Sequence, residues 1–292
     1  MEKSVLELGI PSGSLEKATV ELFRKAGWKI TTTARSYRPH IDDEGIRCKL
    51  IRAQEISRYV ENGSLDAGVT GADWTMENGS DVRLVADLVY SKSSFQGTKW
   101  VLAVRDDSPV RRIEDLRGKT VATELVGFTK RYFAQRGVKL HVEFSWGATE
   151  AKAADGLVDA IVDVTETGST LRANGLRIVE TLTTSNPQLI ANKRSYREPA
   201  KRAKIDQIAM LLKGALEAES RVGIKMNVPK DRIDTIVAML PSITAPTVAD
   251  LYGADWYSVE IVVPEEEVRE LIPKLIKHGA VGIIEYPLNK IV

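Results

Sequence analysis

The segment Asp163-Val-Thr-Glu-Thr-Gly-Ser-Thr170 gathers the residue types that bind an anion. Thr165, Thr167, Ser169 and Thr170 supply hydroxyls, and Gly168 lets the backbone come close to whatever they surround. Hydroxyls and backbone N–H groups in such a turn can enclose the oxygens of a phosphate. Leu171 to Asn174 reads as a short helix closed by Gly175, whose N-terminal dipole would favour the same anion. Asp163 and Glu166 would repel a phosphate that they faced, so they fit better as acceptors for sugar hydroxyls. The same text also reads as a plain polar loop capping a helix.

A second cluster lies in residues 34–52, which carry Arg35, Arg38, His40, Arg47, Lys49 and Arg52. Such donors can hold a pyrophosphate or triphosphate. Asp42, Asp43 and Glu44 interleave with them, which equally suits a solvated loop. Asp73, in Gly68-Val-Thr-Gly71-Ala-Asp73-Trp74, either N-caps the next helix or faces a cleft and orients a sugar hydroxyl or a metal-bound water. Glu124 stands in a matching turn with the same two readings. Trp100 and Trp146 read as core residues, with base stacking the alternative. Cys48 reads as a small inert apolar side chain. His40, His141 and His278 have no nucleophile motif nearby, so no acid–base catalyst is assigned.

These residues need strands and helices to hold them. Residues 4–10 read as a strand, Pro11-Ser12-Gly13-Ser14 as a turn with Ser14 as N-cap, and residues 15–26 as an amphipathic helix ended by Gly27. Residues 119–123 (strand), 124–128 (turn) and 129–135 (helix stopped by Gly137) repeat that order. Asn62-Gly-Ser-Leu-Asp66-Ala before Val69 pairs with Asp155-Gly-Leu-Val-Asp159-Ala before the strand 161–164. Matching units imply two similar α/β lobes, although glycine and aspartate are also common in any such connection. Mostly parallel sheets bind ligands beyond the carboxyl ends of their strands, which places a site in a cleft between lobes. The chain is expected to cross near residues 91–99 and to return along residues 177–192.

The tail reads as strand 221–228, helix 230–240, extended 244–251, strand 256–263, helix 265–277 and strand 281–287. That order is βαββαβ, a ferredoxin-like arrangement. Pro273 is expected to kink or shorten its helix. A charged connector, residues 194–204, leads into an apolar helix, 205–217.

The 292 residues suggest two or three domains, and 43% hydrophobic with 28% charged content is ordinary for a soluble globular protein. A net charge of +1 gives no global grip on nucleic acid. One cysteine excludes an intramolecular disulfide, and with no signal peptide this points to the cytoplasm. No stretch reaches the roughly 20 apolar residues of a membrane helix.

The loop Asp163–Thr170, continued by Leu-Arg-Ala-Asn-Gly-Leu176, resembles the phosphoribosyl-diphosphate loop of the ATP phosphoribosyltransferase family. Gly9-Ile-Pro-Ser-Gly-Ser-Leu15, Arg52-Ala-Gln-Glu-Ile56, Asp66-Ala-Gly-Val-Thr-Gly-Ala-Asp-Trp74 and Val121-Ala-Thr-Glu124 with Arg131-Tyr-Phe133 fit the same family in order. Leu240-Pro-Ser-Ile-Thr-Ala-Pro-Thr247 resembles its regulatory domain, and the built-in tail resembles the long form. Family members often have a basic residue and an arginine at Ser12 and Ser14, and a small hydroxyl residue at Glu166.

The resemblance implies a bilobed body like type II periplasmic binding proteins and an ACT-like tail. Lobe I would comprise 1–91 and 185–219, lobe II 92–184, and the regulatory domain 220–292. It implies the first step of histidine biosynthesis, in which adenine N1 of ATP displaces pyrophosphate from C1 of phosphoribosyl diphosphate, with Mg²⁺ accompanying the pyrophosphate and its protein ligands unassigned. Asp163, Thr165, Glu166, Thr167, Gly168, Ser169 and Thr170 would bind phosphoribosyl diphosphate. Ser12, Gly13, Ser14, Arg52, Asp73 and Glu124 would bind the nucleotide or pyrophosphate. Asn227, Thr247 and Gly282 would bind histidine as inhibitor, in a dimer–hexamer system. A non-catalytic ligand-binding or regulatory protein of the same fold is the alternative.

Overall fold

The structure, a computed structural model, describes residues 5–33, 36–89, 97–241 and 245–292. Ser4, Arg35, residues 91–96 of the expected crossing and residues 242–244 of the tail motif lie outside the described residues.

The chain opens with β1 (Leu6–Ser12), α1 (Glu16–Ala26), the hairpin β2 (Ile30–Thr33) and β3 (Ser36–Ile41), and β4 (Ile46–Arg52). Then come α2 (Ala53–Glu61), β5 (Ala67–Gly71), α3 (Ala72–Asn78) and β6 (Arg83–Asp87). A second series follows: β7 (Thr98–Arg105), β8 (Thr120–Thr123), α4 (Val126–Gln135), β9 (His141–Phe144), α5 (Thr149–Ala154), β10 (Ala160–Thr165), α6 (Ser169–Ala173) and β11 (Leu176–Ser185). After it come β12 (Pro187–Ala191) and α7 (Pro199–Glu219).

One sheet has the order β4-β1-β5-β12-β6 and the other β9-β8-β10-β7-β11. In the first, β1 is parallel to β4 and β5, and β12 runs antiparallel to β5 and β6. In the second, β8 is parallel to β9 and β10, and β7 runs antiparallel to β10 and β11. The orders therefore correspond strand for strand, with β1 matching β8, β4 matching β9 and β5 matching β10. The paired Asn-Gly and Asp-Gly turns of the sequence also match in detail. Asp66 Oδ2 accepts the Glu7 N–H at 2.9 Å, and Asp159 Oδ2 accepts the Thr120 N–H at 2.9 Å. Each aspartate thus ties the turn before one strand to the start of the strand beside it.

Along β7, Trp100, Leu102 and Val104 enter one apolar cluster while Val101 and Ala103 enter another. Both faces of that strand are buried, as parallel-type sheets covered by helices require. The expected return along 177–192 is two strands: β11 stays in the second sheet and only β12 joins the first. β1 also runs further than expected, because Pro11 and Ser12 continue its register opposite Ile51 and Arg52. α4 starts earlier than expected, at Val126. α7 begins at Pro199, where a proline at the first helical position loses no intrahelical bond.

The tail comprises β13 (Arg221–Pro229), α8 (Ile233–Val237), β14 (Thr247–Asp250), β15 (Trp256–Pro264), α9 (Glu265–Lys277) and β16 (Val281–Pro287). All its strand pairs are antiparallel, in the order β14-β15-β13-β16, which is the ferredoxin-like order. Val222, Ile224, Met226 and Val228 alternate toward Val268, Leu271 and Leu275 of α9. The helix expected over 230–240 is only a 3-10 turn, Lys230–Arg232, followed by α8. Pro273 does not shorten α9, which runs its full expected length with Pro273 exposed inside it. By contacts the chain divides into two compact units, Met210–Val292 with Lys25–Gly27 and the remainder. No helix among the described residues is long and apolar enough to cross a membrane.

Candidate active site

The hydroxyl-rich loop leaves β10 at Thr165 and enters α6 at Ser169. Its backbone turns at Gly168, with φ +74°. A Cβ there would stand 3.0 Å from the Arg172 guanidinium, in a left-handed conformation that other residues resist. Thr165 Oγ1 accepts the Gly168 N–H at 2.8 Å, and the Thr167 hydroxyl donates to Ser169 Oγ at 3.0 Å. Arg172 bonds back to the Thr167 carbonyl at 3.1 Å. The turn is thus held by its own side chains while Thr167, Ser169 and Thr170 remain exposed. Because α6 has only five residues, local N–H groups rather than a long helix dipole would meet an anion here. Asp163, at the edge of the loop, accepts the Val164 N–H at 2.7 Å. Burial, with Glu150 adding repulsion, raises its pKa above the ordinary range.

In the other lobe, Ser12 at the end of β1 pairs in register with Arg52 at the end of β4. Gly13 has φ +92°, a conformation other residues resist, and its Cα faces the Arg52 guanidinium, 2.9 Å from where a Cβ would stand. Ser12, Gly13, Glu16, Arg52, Glu55 and Tyr59 line a cavity of about 560 Å³. Arg52 and Glu55 also line a second cavity of about 400 Å³, together with Arg58, Trp74, Glu124 and Trp146. Ser14 lines neither cavity.

The basic segment divides on folding. Arg47 and Lys49 pair with Glu7 at 2.5 and 2.9 Å, because alternate residues of β4 share one face with their neighbours on β1. Arg38 and His40 are exposed on β3. A hairpin and a strand replace the expected phosphate-gripping loop, and among the described residues of this segment Arg52 is the cation that lines both cavities. Cys48 is buried, and burial together with the nearby Glu7 pushes its thiol up to about 12, which makes it inert.

Asp73 does not act as the N-cap, which is Gly71; it stands inside α3. Its carboxylate accepts the Trp74 N–H at 2.9 Å and the Trp100 Nε1–H at 2.8 Å. Its own N–H donates to Ser185 Oγ at 3.1 Å. Burial raises its pKa although these bonds oppose the shift. A carboxylate this buried, with both oxygens engaged by protein donors, ties the lobes together instead of meeting a nucleotide. Trp100 is core at 2% exposure, whereas Trp146 is 74% exposed and not a core residue. Trp146 follows β9, an edge strand that is itself mostly exposed.

Glu77 has no motif around it in the sequence, yet it bridges the lobes. Its two oxygens accept the Gly127 and Phe128 N–H groups at 2.8 and 2.7 Å, at the start of α4. Arg131 of α4 returns a bond to the Met76 carbonyl at the end of α3. The only sequence signal is that a helix start needs acceptors for its first N–H groups.

In the tail, Asn227 and Gly282 come together on adjacent strands, with a Cβ at Gly282 meeting Asn227 Nδ2 at 3.4 Å. Thr247 lies on the edge strand β14, two strands from Asn227. At roughly 4.8 Å per strand it does not join them within one sheet face contact.

Residues 52–214 match the family model described as ATP phosphoribosyltransferase, and residues 218–290 match the model described as HisG, C-terminal domain. The ATP phosphoribosyltransferase of Desulfatibacillum aliphaticivorans is 60% identical over 98% of this chain and 98% of its own. ATP phosphoribosyltransferase 1 of Geobacter sulfurreducens is 59% identical over 99% of each. The solved ATP phosphoribosyl transferase (HisG:HisZ) complex from Thermotoga maritima matches with TM-score 0.63 and 26% identity, over 74% of this chain and 100% of that one.

Proposed function

Because the chain belongs to the ATP phosphoribosyltransferase family, we propose that the 165–170 loop holds the 5′-phosphate of phosphoribosyl diphosphate and that ATP lies against Arg52 and the cavity it shares with Glu124. The enzyme joins adenine N1 of ATP to C1 of phosphoribosyl diphosphate and releases pyrophosphate, the first step of histidine biosynthesis. The observation that carries the placement is topological. β8 and β10 are parallel neighbours, so Glu124 and the hydroxyl loop emerge side by side at their carboxyl ends.

Adenine N1 is already nucleophilic, and pyrophosphate leaves readily once its charge is balanced. Catalysis therefore depends mainly on positioning and on charge stabilisation. Thr165, Thr167, Ser169, Thr170 and the Gly168 backbone position the phosphate, and Asp163 or Glu166 accepts ribose hydroxyls. Ser12, Gly13 and Arg52 offer donors to the nucleotide or pyrophosphate. Among the described residues no three His, Cys, Asp or Glu side chains converge as a metal cage. Mg²⁺ accompanying the pyrophosphate would neutralise the leaving charge, with its protein ligands unassigned.

The test is Thr167→Ala with Thr170→Ala. The double variant is expected to raise KM for phosphoribosyl diphosphate by at least tenfold while KM for ATP holds, read from initial rates of phosphoribosyl-ATP formation. An unchanged KM for phosphoribosyl diphosphate defeats the loop assignment.

The same reading assigns histidine inhibition to the tail through Asn227, Thr247 and Gly282, in a cytoplasmic dimer–hexamer system. Since Thr247 is two strands from Asn227, a second subunit is the natural source of contacts completing such a site. Removing residues 221–292 should abolish histidine inhibition; a soluble truncation still fully inhibited excludes the tail as sensor.

A further inference from the structure

Glu124 follows β8 directly, and Thr123 at the end of that strand pairs with Val162, the residue before Asp163. The side chain stands one strand away from the loop proposed above for the phosphoribosyl donor. It lines the cavity of about 400 Å³ whose wall includes Trp74, Val126, Phe144 and Trp146, and whose corner holds Arg52 and Arg58. Phe144 and Trp146 are 63% and 74% exposed, so their faces are open to a planar ligand. The aromatic wall suits a purine ring, Arg52 and Arg58 can meet its phosphates, and of the three lining carboxylates, Glu55, Glu77 and Glu124, Glu77 is held by α4. Among the described residues Glu124 makes no hydrogen bond or ion pair.

Bond formation at N1 needs no base, but reaching the neutral product needs one proton removed. Alkylation at adenine N1 leaves a positive charge on the ring, and the neutral product has one proton fewer on the 6-amino nitrogen. The histidines are not at this cavity, Asp73 is committed to Trp74 and Trp100, and Glu77 caps α4.

We propose that Glu124 is the general base of the transfer, taking a proton from the adenine 6-amino group as N1 bonds to C1. The inference rests on the donor lying at the 165–170 loop. The N1 lone pair forms the N1–C1 bond, and the C1–O bond breaks with its electron pair leaving on pyrophosphate. An N6–H bond breaks toward a Glu124 oxygen. Its electrons form the C6–N6 double bond, and the former C6–N1 π pair returns to N1 and cancels its charge. Glu124 then passes the proton to solvent.

The environment suits that role. Burial, followed by the charges of Asp163 on β10 and Asp73 on α3, raises the Glu124 pKa above the ordinary carboxylate range. Glu55 and Glu77 also line the cavity, and Arg52 and Arg58 oppose them. A raised pKa brings a carboxylate closer to the strength that proton transfer near neutral pH demands.

The experiment compares wild type with Glu124→Gln and Glu124→Asp, measuring kcat, both KM values and the pH profile of phosphoribosyl-ATP formation. Wild-type kcat should fall on the acid side, as Glu124 takes up a proton and can accept no other. Glu124→Gln should lower kcat on the order of 10²-fold with KM for each substrate within about threefold, and should lose that acid limb. Glu124→Asp should retain intermediate activity with the limb shifted. If Glu124→Gln does not fold, judged by thermal unfolding, the shift or persistence of the limb in Glu124→Asp decides. An unchanged kcat, an acid limb that persists unmoved, or a loss confined to KM for ATP overturns the proposal. Failure of the loop reading would register separately, in the Thr167→Ala, Thr170→Ala double variant.

Discussion

The two lobes are built alike at one end of their strands and differ at the other. Where the strands begin, Asp66 and Asp159 make the same bond, each to the N–H that starts the neighbouring strand. Where the matching strands β5 and β10 end, the chain does opposite things. β5 passes straight into α3, and the protein's own carboxylate, Asp73, fills the turn. β10 instead opens into a loop of hydroxyls around Gly168. A repeated frame thus keeps its stabilising bonds in both copies, and only one copy leaves a helix start available to a ligand's anion.

The comparison breaks first at Thr167. Thr167→Asp would add a carboxylate among the exposed hydroxyls of the loop, beside the carboxylates of Asp163 and Glu166. KM for phosphoribosyl diphosphate should rise on the order of 10²-fold or more, because like charges brought together cost several kcal/mol. The melting temperature should hold, since Thr167 is exposed. An unaffected KM would mean that no phosphate approaches the loop.

A smaller effect is expected at the other end. Asp66 is buried and also accepts the Ser195 hydroxyl at 2.6 Å and Lys201 at 2.9 Å, while Asp159 is more exposed. Asp66→Asn should therefore cost about 2–4 kcal/mol, and Asp159→Asn below about 1 kcal/mol after solvent screening. For Asp66, burial alone would raise the pKa, but the Ser195, Glu7 and Lys201 bonds outweigh it and hold it below the ordinary value. Its stabilisation is thus fully present above the unfolded-state pKa and is lost as pH falls through the lowered folded value. Denaturation across a pH series should find the Asp66→Asn deficit full at pH 7 and shrinking as pH falls below the ordinary carboxylate range. Equal costs at the two aspartates would contradict the difference in their surroundings.

The frame was legible in the sequence because its signals are local. Gly27, Gly63, Gly137 and Gly156 all adopt positive φ where the pattern places helix ends, and α9 and β16 match their expected bounds. The geometry of the candidate site was legible only where one segment contained it. The 165–170 loop qualifies, as does Arg52 beside Gly13. What failed was decided by partners distant in sequence. Asp73 looks like a cap until Trp100 and Ser185 arrive from 27 and 112 residues away. Arg47 and Lys49 look like phosphate ligands until β1 brings Glu7 beside them. Trp146 has the composition of a core residue, and nothing near it in the sequence says that the strand before it takes the edge of its sheet. Glu77 illustrates the limit, since its value lies wholly in the position of α4.

The position of β12 has a consequence for how the molecule is made. β12 lies between β5 and β6 in the first sheet, but it is synthesised after the whole of the second sheet. The second sheet is continuous in sequence, from β7 to β11, and can complete as it leaves the ribosome. The first must wait with β6 unpaired against its neighbour for the roughly 100 residues that follow, several seconds at about 5–20 residues per second. The lobe carrying the hydroxyl loop therefore matures first, and the older N-terminal segment is finished last, by a strand that closes the sheet from the middle.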